Sequence, residues 1–508
     1  MTGLPPARWT ARLPQPVPWL ALALVAGLVY LAASVWLNGL TGFPLDDAWI
    51  HQTYARSLAE TGLPAFSPGR PSAGSTSPLW MVLLSVGYWT GIPFRLWTYG
   101  LGILFLGLTG QMMARLGRRL FPDLPQVGQW AGLFCVLEWH LVWAAVSGME
   151  TILFIWLSVW VVEQTASRAG SGFRGGVRVG LLAGLLILTR PEGVVLLGLV
   201  GLEWARRQGR LSPRLLAGWA GLAVGALVLL GPYVAFHFWL TGRPLPNTFY
   251  AKQAEYAVVL QTFPLWARLF GAAAGGETVQ GVFRVVFIGP TVLLLPGLGG
   301  AAGRTIRARR VELWPIWAWW LGFLLMYAVR LPVTYQHGRY QMPAVPWLVL
   351  LGVWGTVLLT RPRRGMVGRV LVRTLVVAIG LLVPLFVLVG ARAYARDVRF
   401  IEGQMVTTAR WLNMHTPPTA LIAAHDIGAV GYFTRREILD LAGLVTPEVI
   451  PIIRDEAALY DFIRARGADY LVTFPSWYPR LTRQPGLQVV FQAGSPGEDG
   501  MTVYRVRN

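Results

Sequence analysis

Charge is scarce in this sequence: of 508 residues only 13% are Asp, Glu, Lys or Arg, whereas 54% are hydrophobic. Ordinary soluble domains carry nearly twice that charged fraction, so a water-soluble globule is excluded. Cysteine is reduced to Cys135, which rules out an intrachain disulfide and a thiolate-held metal site. Lysine is reduced to Lys252 among 44 basic residues, and histidine to six positions. No internal repeat is evident by eye. The formal charge of +20 does not describe a nucleic-acid groove, because the arginines sit in short clusters between apolar runs. That is the positive-inside pattern of a multi-pass membrane protein, and no nucleic-acid partner is expected.

The first apolar run, Pro18 to Leu40, is long enough to span a bilayer and longer than a signal-peptide core, so it reads as a retained anchor. Arginine clusters at Arg8/Arg12, Arg115/Arg118/Arg119, Arg168/Arg174/Arg178, Arg206/Arg207/Arg210/Arg214, Arg304/Arg307/Arg309/Arg310 and Arg361/Arg363/Arg364/Arg369/Arg373 mark cytoplasmic turns. About eleven spans satisfy them: 18–40, 96–114, 127–146, 151–167, 178–189, 193–205, 215–239, 279–301, 313–329, 341–360 and 374–391. The run SPLWMVLLSVGYWTG (77–91) would break this parity and is expected to lie along the outer surface. The runs flanking TRPEG (189–193) are short, which predicts two helices meeting at a pocket that dips into the membrane.

The parity puts every chemically distinctive loop on one extracytoplasmic face: FPLDDAWIHQTYARSLAETG with AGSTSP, SGMET, TRPEG, GRPLPNTFYAKQAEY and RLPVTYQHGRYQMP. From about Val398 the pattern changes to short strands and amphipathic helices, ALIAAHDIG, EILDL, DEAALYDFIRARG, DYLVTF, LQVVFQ and MTVYRV. The expected architecture is a polytopic α-helical membrane protein with a small extracytoplasmic α/β domain. Residues 1–395 form the membrane unit, with a first outer loop at 41–95, and 396–508 form the C-terminal domain.

Asp46 and Asp47 stand out first. Two adjacent carboxylates at a membrane edge repel each other unless a cation, proton or substrate is shared, so they read as a general base facing a cavity or as plain interfacial residues. Trp49 follows them. Glu150 in SGMET lacks a basic neighbour in sequence, leaving a metal, a sugar hydroxyl or a distant arginine as its partner. Glu192 pairs with Arg190 locally or shares it with substrate. The outer cations Arg56, Arg70, Arg190, Arg243, Lys252, Arg330 and Arg339 fit phosphate, with lipid headgroups as the alternative; Lys252 would act as a point charge and Arg339 as a fork. His425 and Asp426, at a strand exit, read as a structural turn or as an acceptor or metal contact.

LDDAWIHQTYARSLAETG, AFSPGRPSAGSTSPLW, SGMET, TRPEG, PLPNTFYAK, GRYQMPAVPWL and HDIGAVGYF with LDLAGLVTPE resemble the motifs of bacterial GT-C glycosyltransferases. The branch is similar to the terminal arabinofuranosyltransferase of actinobacterial cell walls, and the likeness runs from about residue 18 to 450. It implies an integral membrane enzyme that moves a sugar, possibly arabinofuranose, from a polyprenyl-phosphate donor to a cell-envelope glycan or lipid acceptor outside the cytoplasm. By that likeness the catalytic acid is Asp46 or Asp47, with spacing to Ala55–Arg56 favouring Asp47. Glu150 is implied as an acceptor or metal contact, and Arg190, Lys252 and Arg339 as donor-phosphate contacts. A divalent cation is compatible with the acids but not required by them. A lipid-linked sugar transporter is the rival class, and it would place ionisable residues at mid-membrane on several helices rather than on one face. An anchored glycan-binding protein would need one span, not eleven.

Overall fold

The computed structural model describes residues 18–166, 172–274, 277–360, 366–494 and 499–507. Arg8, Arg12, Arg168, Arg361, Arg363 and Arg364 lie outside the described residues. The N-terminal four-fifths is helical. Helix α1 (Trp19–Asn38) is an unbroken apolar run, and Gly39 ends it in the left-handed conformation that a side chain would resist. Helix α2 (Asp47–Thr61) then begins at the aspartate pair, and α3 (Pro78–Thr90) starts on a proline whose missing N–H costs a helix nothing there. Among the described residues five helices are long and apolar enough to cross a membrane: Trp19–Asn38, Pro213–Thr241, Val311–Arg330, Tyr335–Leu359 and Gly368–His415.

Two expected spans are not single helices. The run 127–146 breaks into α5 (Gln126–Leu137) and α6 (Trp139–Val146), because Glu138 turns its carboxylate onto the Leu141 N–H and caps the second helix. The run 279–301 breaks at Gly289–Pro290 into Val282–Val286, a 3-10 turn and Leu295–Arg307. Helix α6 and α7 (Thr151–Ala166) are bent by 118° at SGMET, so that loop is the corner of a broken pair. The surface run 77–91 is α3, which is anchored inward: the Ser77 hydroxyl donates to the Thr189 carbonyl at 2.8 Å and the Trp80 indole to Gly148 at 2.9 Å. It therefore ties SGMET to TRPEG.

Helix α4 (Phe94–Leu120), α8 (Phe173–Thr189), α9 (Gly193–Gln208) and α10 (Pro213–Thr241) complete the first half of the bundle. Helices α8 and α10 touch backbone to backbone: a Cβ at Gly180 would meet the Leu222 carbonyl at 2.3 Å. Close approach through small residues is what holds helices together where lipid removes the hydrophobic drive. The arginine-bearing ends meet one another. Arg119 pairs with Glu163 at 2.7 Å, Arg207 donates to Thr165 at 2.8 Å, and Arg310 reaches the Leu120 carbonyl at 2.9 Å. The other ends carry the distinctive loops, now joined by helix α11 (Asn247–Glu255).

The 36-residue helix Met366–Ile401 runs on through a π-helical turn at Glu402–Val406 into Thr407–His415. Beyond it lies a five-stranded sheet in the order Glu437–Asp440, Leu421–Ala424, Tyr470–Thr473, Thr502–Val506, Leu487–Gln492. The first three strands are parallel and the last two pair antiparallel. Helix Gly428–Thr434 leaves the sheet and packs on α2. Trp49 is fully buried in that contact, edge to face with Phe43 at 5.1 Å and against Tyr432 and Phe433 at 4.9 and 4.8 Å.

Candidate active site

Asp46 and Asp47 are adjacent in sequence and differ in their surroundings. Asp46 is buried, and both its oxygens are occupied: Oδ2 accepts the Gly428 N–H at 2.6 Å and Oδ1 the Ala429 N–H at 2.8 Å. A Cβ at Gly428 would sit 2.1 Å from the Asp46 carbonyl, so only glycine allows this approach. Asp46 therefore clamps the first outer loop to the C-terminal sheet. Burial pushes its carboxyl up to about 7, against the pull of the Ala429 and Gly428 N–H groups, and the neighbouring Asp47 charge adds to the rise.

Asp47 instead lines a cavity of about 490 Å³, and its side chain keeps 35% of its surface open. The Arg339 guanidinium donates to Asp47 Oδ2 and, at 2.9 Å, to the Tyr340 hydroxyl. Lys252 donates to the same Tyr340 hydroxyl, with its ammonium 4.9 Å from the ring centre. Burial alone would raise the Asp47 carboxyl, but Arg339 and Lys252 outweigh it and hold Asp47 at about 2. Lys252 is correspondingly held above its usual range: burial opposes, and Tyr340, Tyr335 and Asp47 win.

Arg339 is aimed by an uncommon turn. Gln336, His337 and Gly338 are all left-handed, at φ 52°, 59° and 68°. His337 Nε2 lies 2.7 Å from Asp397 Oδ2, which also accepts the Trp143 indole N–H at 3.0 Å. Arg339 is buried, yet its Nε and Nη1 have no partner. Both nitrogens are shut off from solvent, and it is Nη2 that makes the contacts to Asp47 and Tyr340.

Glu150 and Arg190 close the opposite wall. Glu150 Oε2 is 3.2 Å from His51 Nε2, and Glu150 Oε1 is 3.9 Å from Arg190 Nε. Arg190 also reaches Glu192 at 3.3 Å and the Tyr327 hydroxyl at 2.7 Å, while that hydroxyl donates to Glu192. The local Arg190–Glu192 pair forms, and both residues line the cavity. The partner of Glu150 is a distant arginine joined by a histidine. Apolar Ile187, Val194, Val195, Phe249, Met326 and Leu331 cover much of the remaining lining.

Arg190, Lys252, Arg330, Arg339 and Glu150 all line this cavity with Asp47. Asp46 does not, and neither do Arg56, Arg70, Arg243, His425 or Asp426. Arg70 pairs with Glu437, Arg56 lies over Tyr432 at 4.2 Å and Arg243 over Tyr250 at 4.9 Å. His425 and Asp426 stand at the exit of strand Leu421–Ala424. Burial pushes the His425 imidazole down to about 4, and burial with Asp46 and Asp47 pushes Asp426 well up. Gly74 of AGSTSP lines the cavity, but its lack of a side chain serves packing, since a Cβ would meet Tyr54 Oη at 2.6 Å and the Leu444 carbonyl at 3.0 Å. His51, Tyr327 and Tyr340 were not singled out from sequence; His51 lies one turn after Asp47, a spacing that puts both on one helix face.

Among the described residues no group of three or more His, Cys, Asp or Glu side chains is arranged to hold a metal ion. The cavity carboxylates already face Arg339, Arg190 and His51, a cationic surrounding that does not fit a divalent ion.

A family described as a domain of unknown function (DUF8728) matches residues 394–504. No curated protein matches the chain by sequence. Solved structures do match by fold. ArnT from Cupriavidus metallidurans bound to undecaprenyl phosphate is similar at TM-score 0.55 and 16% identity, covering 96% of this chain and 97% of that one. The oligosaccharyltransferase AglB from Archaeoglobus fulgidus, in complex with an inhibitory peptide and a dolichol-phosphate, is similar at TM-score 0.58 and 11% identity, covering 90% and 69%. Arabinofuranosyltransferase AftD from Mycobacteria is similar at TM-score 0.54 and 17% identity over 96% of this chain and 41% of that one. The chain is therefore a helical membrane protein with the GT-C glycosyltransferase fold.

Proposed function

We propose that the chain is a multi-pass membrane glycosyltransferase that takes a sugar from a polyprenyl-phosphate donor and passes it to a hydroxyl of a cell-envelope glycan or lipid. The observation that carries this reading is Arg339, held on Asp47 in the wall of a cavity whose charged lining is net positive. Four cations, Arg190, Lys252, Arg330 and Arg339, line the cavity against three carboxylates, Asp47, Glu150 and Glu192. A phosphodiester, with one negative charge, neutralises that excess, and the apolar walls suit the first isoprene units. The arginine-rich turns belong in the cytoplasm by charge, which assigns the cavity and the C-terminal domain to the extracytoplasmic side.

Asp47 takes the proton from the acceptor hydroxyl as its oxygen bonds to the anomeric carbon. The bond from that carbon to the phosphate oxygen breaks, and its electron pair leaves with polyprenyl phosphate, whose growing charge Arg339 and Lys252 stabilise. In the empty cavity these cations suppress Asp47's basicity. A donor phosphate competes for them, so donor binding itself restores the base. Glu150 and His51 face the same space and are placed to accept or donate hydrogen bonds to sugar hydroxyls.

The resemblance in the motifs makes arabinofuranose one candidate sugar and does not single it out. A panel of polyprenyl-phosphate sugars, incubated with purified protein and acceptor extract, tests the reading. Release of polyprenyl phosphate from one member supports the reaction and names the sugar; no release from any member overturns it.

A further inference from the structure

The C-terminal sheet holds a second chemical grouping. Its three parallel strands lie in the order second, first, third along the chain, so Leu421–Ala424 is flanked by Glu437–Asp440 and Tyr470–Thr473. The chain leaves the central strand to one side and returns to the other. In open parallel sheets such a reversal opens a crevice beyond the carboxyl ends of the two strands, where ligands bind. His425 and Asp426 leave one strand here, and Phe474, Trp477 and Tyr478 follow the other.

These side chains meet. His425 Nδ1 lies 2.8 Å from the Tyr478 hydroxyl, and its ring stands edge-on to Trp477 at 5.2 Å, with Phe474 backing Trp477 at 4.8 Å. Trp477 nonetheless keeps 45% of its surface exposed. The Asp426 side chain has no hydrogen-bond donor and no cation on it among the described residues; Asp46, Asp47, Glu255 and Asp440 are the groups that act on it. Two residues further on, Gly428 and Ala429 hold Asp46, so the crevice is fastened to the helix that begins at Asp47.

A half-exposed indole packed on His425, with the unpartnered Asp426 side chain next along the chain, suits a neutral polyhydroxyl ligand. A sugar ring offers a C–H face to the indole and hydroxyl donors to Asp426. An anion would find no cation on Asp426 among the described residues.

We propose that the crevice formed by His425, Asp426, Trp477 and Tyr478 is a glycan subsite that holds the acceptor saccharide over Asp47. This deepens the transferase reading and rests on it for the word acceptor, not for the binding of a saccharide. The test uses the full-length protein in detergent on an array of arabinan, galactan, mannan and peptidoglycan fragments. Wild type is expected to bind at least one fragment, with Trp477→Ala weakening it about tenfold or more and Trp477→Phe retaining it within about threefold. In transfer to that fragment, Trp477→Ala should raise the acceptor KM by the same factor and leave the donor KM and the melting temperature unchanged. No bound fragment, or equal binding by wild type and Trp477→Ala, overturns the subsite. If wild type releases no polyprenyl phosphate from any donor, the transferase reading fails separately, and the array result still decides the subsite.

Discussion

Two buried clusters of charge lie at opposite ends of α9. At the arginine-rich end, fully buried Glu203 accepts from Arg206 at 2.8 Å twice, from Arg207 at 2.6 Å and from the Trp314 indole at 2.5 Å. At the other end, Arg190, Glu192, Glu150, Asp47, Lys252 and Arg339 surround a cavity and leave Arg339 Nε and Nη1 unpartnered. In the first cluster both Glu203 oxygens are taken by these donors. The second has the same residue types and is open, and that openness, rather than the charge, marks a site.

The largest effect that would break this contrast concerns the two aspartates. Asp47→Asn should lower transfer about a thousandfold with melting unchanged, the scale of a lost general base. Asp46→Asn should instead lower the melting temperature, since it turns an amide N–H₂ toward backbone donors at a cost of about 1–3 kcal/mol, and keep transfer within about tenfold. Equal loss of transfer in both at unchanged melting would erase the distinction.

Arg339→Met should raise the donor KM about a hundredfold, whereas Glu203→Gln should leave it unchanged and cost about 1 kcal/mol of stability, because it weakens the bonds from Arg206 and Arg207, which stay partly solvated. Donor-titration kinetics alongside thermal melts separate the two. A smaller effect sharpens the electrostatics. With Asp47 held at about 2, kcat/KM for the free enzyme should be flat down to about pH 5. Lys252→Met removes one of the cations that lower Asp47, so its pKa rises and an acid limb should move up in pH; an unshifted profile would detach Lys252 from the base. Least of all, Arg70→Ala breaks an exposed pair with Glu437 and should change stability by no more than about 0.5 kcal/mol.

Much of the cavity was legible because its residues cluster in loops that charge parity puts on one face: Asp47, Glu150, Arg190, Lys252 and Arg339 were each marked in sequence and share one lining. The division of labour between Asp46 and Asp47 was not legible, because it depends on Gly428 and Ala429, some 382 residues away. His51 had a local signal in its four-residue spacing from Asp47, while Tyr327 and Tyr340 look like any aromatic of a membrane helix until Arg190 and Arg339 are seen on their hydroxyls. Apolar length overstated continuity at 127–146 and 279–301, where Glu138 and Gly289–Pro290 carried the break in plain view. Trp49 is an internal packing residue against Tyr432 and Phe433.

The central claim is that the Arg339 end of α9 is built to receive a phosphate and the Glu203 end is not. Calorimetric titration of a short-chain polyprenyl phosphate into wild type, Arg339→Met and Glu203→Gln tests it most directly. The account expects binding to wild type and Glu203→Gln with similar affinity and a loss of about a hundredfold in Arg339→Met. Equal affinity in wild type and Arg339→Met would contradict it.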